Sequence, residues 1–200
     1  MKIKTGSRVG NPSPEAGVKP RERAPRPIDA DVDIGHVHLR AADLERMRAF
    51  YVDILGFDVV FRMPTALFVA AGGYHHHIGF NTWESAGGSP PPPGSTGLYH
   101  FAIRYPTRDG LGDAFRRLVA AGWPLDGYND HGTHEALYLR DPEENGIELC
   151  WDRPPEDWLA RDADGHLTFA SRQLDLEGLL REGLEEGEAP PSPVRFTGPR

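Results

Sequence analysis

His36, His100 and Glu148 are the residues of this chain whose types and placement suit chemistry. His36 stands in Gly35-His36-Val37-His38-Leu39-Arg40, and His100 in Gly97-Leu98-Tyr99-His100-Phe101-Ala102-Ile103-Arg104. Each is an alternating, strand-like stretch followed by an amphipathic one. Glu148 lies in a third such stretch, Asn145-Gly146-Ile147-Glu148-Leu149-Cys150-Trp151. Two neutral imidazoles and one carboxylate hold a divalent metal while leaving coordination positions open for substrate.

Alternation along a strand sorts these side chains by face. Val37 and Leu39 oppose His36 and His38; Phe101 and Ile103 oppose His100 and Ala102; Ile147 and Leu149 oppose Glu148 and Cys150. If 75–82 is one continuous strand, His76, Ile78 and Phe80 share a face, and His75, His77, Gly79 and Asn81 share the other. His36, His77, His100 and Glu148 then all stand opposite the faces suited to packing under a helix. His36 and His100 are 64 residues apart, and His77 and Glu148 are 71 apart. A single strand histidine is more often structural or solvent-exposed than a ligand. The coincidence at matched points of two similar units carries the signal.

Those units are read from hydrophobic periodicity. The first, 31–83, runs strand (33–40), helix (43–55) and three strands (57–62, 66–71, 75–82). Asp43 is its helix cap, and Leu44, Met47, Phe50, Tyr51 and Ile54 form the apolar stripe. The second, 97–153, repeats the order: strand (98–105), helix (107–121) and strands (125–130, 135–140, 146–151). Thr107 caps its helix, with Leu111, Ala114, Phe115, Leu118 and Val119 inward. The Pro/Gly segment 84–96, with four consecutive prolines, reads as a spacer. Residues 1–30 and 183–200 read as disordered tails, the first of them basic, because they offer too little apolar surface to offset ordering. Residues 154–182 form a C-terminal extension. The expected fold is α+β: two tandem βαβββ modules forming a curled mixed sheet around a metal cavity.

The chain has 200 residues and a net charge of −8, which disfavours nucleic acid as a partner. Its one cysteine, Cys150, needs no oxidising compartment, and no run reaches membrane-spanning length. A cytoplasmic protein that engages no membrane is the expectation.

These residues resemble the vicinal oxygen chelate superfamily, which includes glyoxalase I, drug-resistance proteins and extradiol ring-cleavage dioxygenases. Gly35-His36, Asp43-Leu44, Phe50-Tyr51 and Leu55-Gly56-Phe57 resemble its first module. More discriminating is Asn129-Asp130-His131, five residues, Leu137-Tyr138, two residues, Asp141-Pro142, then Glu148, which resembles the extradiol signature of catechol 2,3-dioxygenase-like proteins. It departs at Glu144, where that pattern has Gly or Pro; Gly146 is expected to take over the tight turn, since a left-handed Glu144 would cost roughly 1 kcal/mol or more.

The resemblance implies that His36, His100 and Glu148 ligate Fe2+ (Mn2+, Ni2+ or Zn2+ being the alternatives), with Tyr138 and His131 beside the substrate. It implies a catechol-type aromatic and O2 as reactants, and a homodimer. His77 is the candidate acid–base; Tyr138 would donate a hydrogen bond to the substrate, and His131 would stabilise charge. If His77 were instead a fourth ligand, the same frame would suit a glyoxalase-like lyase or isomerase. A non-catalytic drug- or metabolite-binding protein is the third possibility.

Overall fold

In the computed structural model, residues 26–184 and 188–191 are described, and the tails expected over 1–30 and 183–200 lie largely outside them. The chain divides into a short unit, 1–33, and a large one, 34–200. In the described part of the short unit, Asp29 organises a turn, accepting the Asp31 N–H at 3.0 Å through Oδ1 and the Val32 N–H at 3.2 Å through its carbonyl.

Within the large unit the duplication is plain. The first module comprises β1 (Val37–Arg40), α1 (Leu44–Arg48) continuing as a π-helical stretch (Ala49–Ile54), β2 (Asp58–Met63), β3 (Ala66–Ala70) and β4 (Ile78–Asn81). The second comprises β5 (Phe101–Tyr105), α2 (Arg108–Ala120), β6 (Gly127–Asp130), β7 (His134–Arg140) and β8 (Gly146–Asp152). A short α3 (Leu176–Arg181) follows in the extension. Each module forms a four-stranded mixed sheet, ordered β1-β4-β3-β2 in one and β5-β8-β7-β6 in the other. In both, the outer first strand runs parallel to the last and the remaining pairs are antiparallel.

Local chemistry sets the element ends. Asp43 caps α1, its carboxylate accepting the Glu45 N–H at 2.8 Å, and Thr107 caps α2 through the Gly110 N–H at 3.1 Å. In the π-helical stretch the Leu55 N–H reaches back to the Phe50 carbonyl at 3.0 Å. Phe50 and Tyr51 are both fully buried there, as the apolar stripe expected from the sequence requires.

Leu39, Leu67, Val69, Ile78 and Phe80 pack with Met47, Phe50 and Tyr51; Leu137, Leu139, Ile147 and Leu149 pack with Leu111, Phe115 and Leu118. The two sets form one apolar cluster. Burying each such side chain contributes about 1.5–3 kcal/mol. The modules meet on their helical sides: Phe50 lies 4.6 Å from Trp123 between ring centroids, and the Tyr51 hydroxyl donates to Asp141 Oδ2 at 3.0 Å. Glu143, in the turn between β7 and β8, accepts from the Asp43 N–H at 3.2 Å and from Arg46 at 2.9 Å. Among the described residues no strand of one sheet pairs with a strand of the other. The faces that bear His36 and Glu148 are the ones turned away from this shared core.

The turn at 141–145 differs from the sequence expectation. Glu144 itself takes the left-handed conformation, with φ 64°, so Gly146 does not relocate the turn. Asp141 makes that conformation affordable: it accepts the Glu143 N–H at 2.8 Å, the Asn145 N–H at 2.9 Å and the Asn145 amide at 2.9 Å. Gly146 is required for another reason. A Cβ there would stand 2.0 Å from the Tyr99 carbonyl oxygen and 3.1 Å from the His100 Cβ.

Candidate metal centre

Cross-strand register brings the second-module residues together. Tyr138 lies directly opposite Glu148, Ala136 opposite Cys150 and His134 opposite Asp152, while Ala102 stands beside Glu148. Directly opposed residues share a face, so Tyr138, Glu148, Ala102 and the preceding His100 form one surface. On it, His100 Nε2 lies 3.0 Å from Glu148 Oε2 and His134 Nε2 lies 3.2 Å from Glu148 Oε1. The Tyr138 hydroxyl is 3.4 Å from Glu148 Oε1 and 2.9 Å from His131 Nε2.

Glu148 is nearly buried, at 7% exposure. Burial pushes its carboxyl up, but the hydrogen bond and charge of His134, joined by His100 and His131, outweigh that and hold it below the usual range. His134 is raised in return, chiefly by its hydrogen bond to Glu148 and against the opposing effect of burial. Tyr138 is pushed well up by burial and by the Glu148 carboxylate, so it stays a protonated phenol. Cys150 is likewise raised, to about 12, first by burial and then by Glu148 and Asp152.

First-module histidines gather elsewhere. His36 packs its ring 4.3 Å from His76 and 6.3 Å from His75 between centroids. His76 continues onto Phe68 at 5.1 Å, and Phe68 onto His38 at 5.6 Å and Phe61 at 5.9 Å. The imidazole beside His36 is therefore that of His76, which parity over 75–82 had put on the helix-covered face. The regular strand starts only at Ile78, and 75–77 bend before it, so parity cannot be counted through them. His77 accepts the Ala71 N–H on Nδ1 at 3.2 Å and lies against Tyr74 at 4.8 Å.

A metal centre needs its donors converging. Two cis ligand atoms bonded at about 2.1 Å to one octahedral ion stand about 3.0 Å apart, and His100 Nε2 and Glu148 Oε2 are separated by that much. The two also touch each other directly at that distance, and an imidazole beside a carboxylate fits a divalent metal in chemistry. His36 does not join this pair within the chain. Among the described residues, the trio of His, Cys, Asp or Glu whose ligand atoms approach within 4.8 Å of one another is instead Asp162, Asp164 and His166, on an exposed turn.

Residues 33–149 match the Glyoxalase/Bleomycin resistance protein/Dioxygenase superfamily. The chain belongs to that superfamily. Over 159 residues it is 39% identical to a catechol-2,3-dioxygenase of Bacillus subtilis (strain 168), a match spanning 80% of this chain and 55% of that protein. It is 31% identical to biphenyl-2,3-diol 1,2-dioxygenase 3 of Rhodococcus globerulus, over 58% of this chain and 61% of that one. The chain thus spans little more than half the length of these curated relatives. Among solved structures, a glyoxylase/bleomycin resistance protein/dioxygenase domain from Frankia superposes with a TM-score of 0.53 at 20% identity, covering 62% of this chain and 94% of that one. A glyoxalase/dioxygenase from Nostoc punctiforme gives 0.51 at 18%, covering 64% and 99%. These distant structures share the two-module fold. No described helix is long and apolar enough to cross a membrane.

Within the superfamily frame, His134 is the site residue that sequence reading misses. Its signal was available: His134, Ala136 and Tyr138 share parity, but the strand was expected to begin at 135, one residue too late.

Proposed function

We propose that this chain is an extradiol ring-cleavage dioxygenase that uses Fe(II) to open a catechol-type aromatic with O2, and that it works as a homodimer. The observation that supports the reading most is the face shared by His100, Glu148, Tyr138 and His131, held in the order and spacing of the extradiol signature. The identity to named catechol and biphenyl-diol dioxygenases agrees with it.

In the homodimer, His36 of one copy completes the ligand pair His100 and Glu148 of the other. Two features favour this. Within a chain, His36 stands on a sheet that shares no strand pairing with the sheet bearing Glu148. Around His36 and Phe68, the first sheet exposes large rings, Phe61 at 52% and Trp83 at 62%, an apolar layer of the kind that partners cover.

When bound, the ferrous ion would supply acidification of a diol hydroxyl and a route for electrons to O2. The chain's own residues supply the rest. His100 and Glu148 present the donor pair. Tyr138, hydrogen-bonded to His131, places its phenol oxygen beside it for a diol oxygen. His134 holds the carboxylate from its other oxygen, so Glu148 keeps one orientation.

The test is anaerobic loading with Fe(II), then catechol or 2,3-dihydroxybiphenyl with air, followed by the yellow ring-fission product; iron-loaded protein that gives no product refutes the activity. Dimer completion is read separately from iron content. H36A and E148A should each fail to retain iron, and their mixture should recover about a quarter of the wild-type sites, since half the mixed dimers are heterodimers with one intact site each. A mixture that recovers none, or H36A that retains iron fully, removes the two-chain centre.

A further inference from the structure

The extension after β8 reaches the site that its sequence gave no reason to connect. At Arg172 it pairs with Asp130 as an extra antiparallel bridge on the outer edge of β6: Asp130 N–H donates to the Arg172 carbonyl at 2.9 Å, and Arg172 N–H to the Asp130 carbonyl at 3.0 Å. Ala170 N–H donates to the His131 carbonyl at 2.9 Å, and the Asn129 amide donates to the Ser171 hydroxyl at 2.9 Å. Both ends of this segment are pinned. Upstream, the Trp158 indole N–H donates to the Arg153 carbonyl at 2.7 Å, and Leu159 packs so closely on Gly132, at φ 78°, that a Cβ there would stand 2.7 Å from it. Downstream, α3 buries Leu179 and Leu180, and Arg116 donates to the Glu182 carbonyl at 2.6 Å.

His131 lies where this segment meets the site. Its Nδ1 is 3.2 Å from the Ala170 carbonyl oxygen, and its Nε2 is 2.9 Å from the Tyr138 hydroxyl. A carbonyl oxygen only accepts, so Nδ1 must carry the hydrogen. In a neutral imidazole the other nitrogen is then a lone pair. Tyr138 has one hydrogen to give and two acceptors within reach: His131 Nε2 at 2.9 Å and Glu148 Oε1 at 3.4 Å, the latter longer than an ordinary O–H···O bond. The nearer acceptor takes it.

We infer that residues 170–172 are a positioning strand for the site: the Ala170 carbonyl fixes His131 as the Nδ1–H tautomer, His131 draws the Tyr138 hydrogen, and the phenol oxygen is left to accept from a substrate hydroxyl. This deepens the dioxygenase reading and rests on it for the substrate group concerned. It reverses the role expected from the sequence, where Tyr138 was to donate. Ala170 and Arg172 are positioning residues, acting through His131 and touching no substrate.

The test is nitrogen NMR of the full-length chain, 15N-labelled at histidine and kept diamagnetic, either metal-free or loaded with Zn(II). In its neutral form His131 should show a protonated, pyrrole-type Nδ1 and an unprotonated, pyridine-type Nε2. An Nε2–H tautomer, or protonation of both nitrogens throughout neutral pH, overturns the inference with no variant needed. Arg172→Pro removes the N–H given to Asp130 and should release His131 from that single tautomer. Arg172→Lys, which keeps the backbone pairing, should retain the wild-type pattern. If Arg172→Pro folds and leaves the His131 signals unchanged, the strand does not position the site. Tyr138→Phe should leave Nδ1 protonated, since Ala170 and not Tyr138 holds it; loss of that signal assigns the control to the phenol. These signals are read without turnover, so their outcome is separate from whether the iron-loaded protein cleaves a diol.

Discussion

Replacing Glu144 by glycine should stabilise the protein, although it removes a side chain and adds no contact. Glu144 is the one non-glycine residue with positive φ among the described residues, at 64°, and holding a β-carbon there costs roughly 1–2 kcal/mol. Glycine removes that cost but adds about 0.5–1 kcal/mol of unfolded-state entropy to be lost on folding. The net gain is about 0–1.5 kcal/mol, which for a chain of this size is a rise of up to roughly 6 °C in Tm. The side chain is exposed, and the hydrogen bonds that engage this residue, from Arg140 to its carbonyl at 3.0 Å and from its own N–H to the Asp141 carbonyl at 3.0 Å, use the backbone, which glycine keeps. Paired thermal and urea unfolding of wild type, Glu144→Gly and Glu144→Ala would measure it; alanine retains the β-carbon and should gain little. Gly146→Ala is the opposing control. Its new methyl must displace the Tyr99 carbonyl, moving the residue next to His100, so both stability and metal retention should fall. A Glu144→Gly protein less stable than wild type, or no more stable than Glu144→Ala, would refute the account of this turn as a strained one.

Tyr51→Phe deletes the hydroxyl that gives its hydrogen bond to Asp141 across the modules, and burial keeps that hydroxyl protonated. It should cost about 1–3 kcal/mol in denaturant unfolding; a cost near zero would show that the remaining three donors to Asp141 suffice. In metal-free protein, the coupling of His134 to Glu148 should make stability peak in mildly acidic solution. Glu148 is depressed on folding, so its contribution is present above its unfolded pKa of about 4.3 and is lost as pH falls through the lower folded value. His134 is raised, so its contribution is full below about 6.5 and is lost as pH rises through the higher folded value. His134→Gln should flatten the alkaline side of that profile; an unchanged profile would mean the pair does not govern it.

Much of the fold was legible because α2 and most strands obey one local period. The stripe Leu111, Phe115 and Leu118 marks α2, and Ile147 with Leu149 against Glu148 marks β8 and its site face. Period-two parity also put His100 and Glu148 on matching faces of their strands before any coordinates, and the family resemblance set Tyr138 beside them. Parity failed where the chain leaves the regular strand: at 75–77, where His76 rather than His77 reaches His36, and at His134, one residue outside the strand as first drawn. Contacts between distant segments left no local trace. Tyr51 and Asp141 are 90 residues apart, and His131 and Ala170 are 39 apart; each pair is a matter of tertiary packing that no window of sequence encodes.

The two halves of this duplicated chain protect their outer sheet edges differently. In the second module the end of β6 is covered, because Arg172 takes both backbone groups of Asp130 and Ala170 pairs with the following His131. In the first, β2 is the outer strand, all six of its residues are exposed, and Val59, Val60, Phe61 and Met63 make it a template for another strand to add to. Its guards are the charges of Asp58 and Arg62 and the irregularity between Val59 and Phe61, which breaks the flat ladder an incoming strand would extend. Aggregation of this protein should therefore begin at β2, and neutralising Arg62 there would harm solubility more than the same change at any residue of β6.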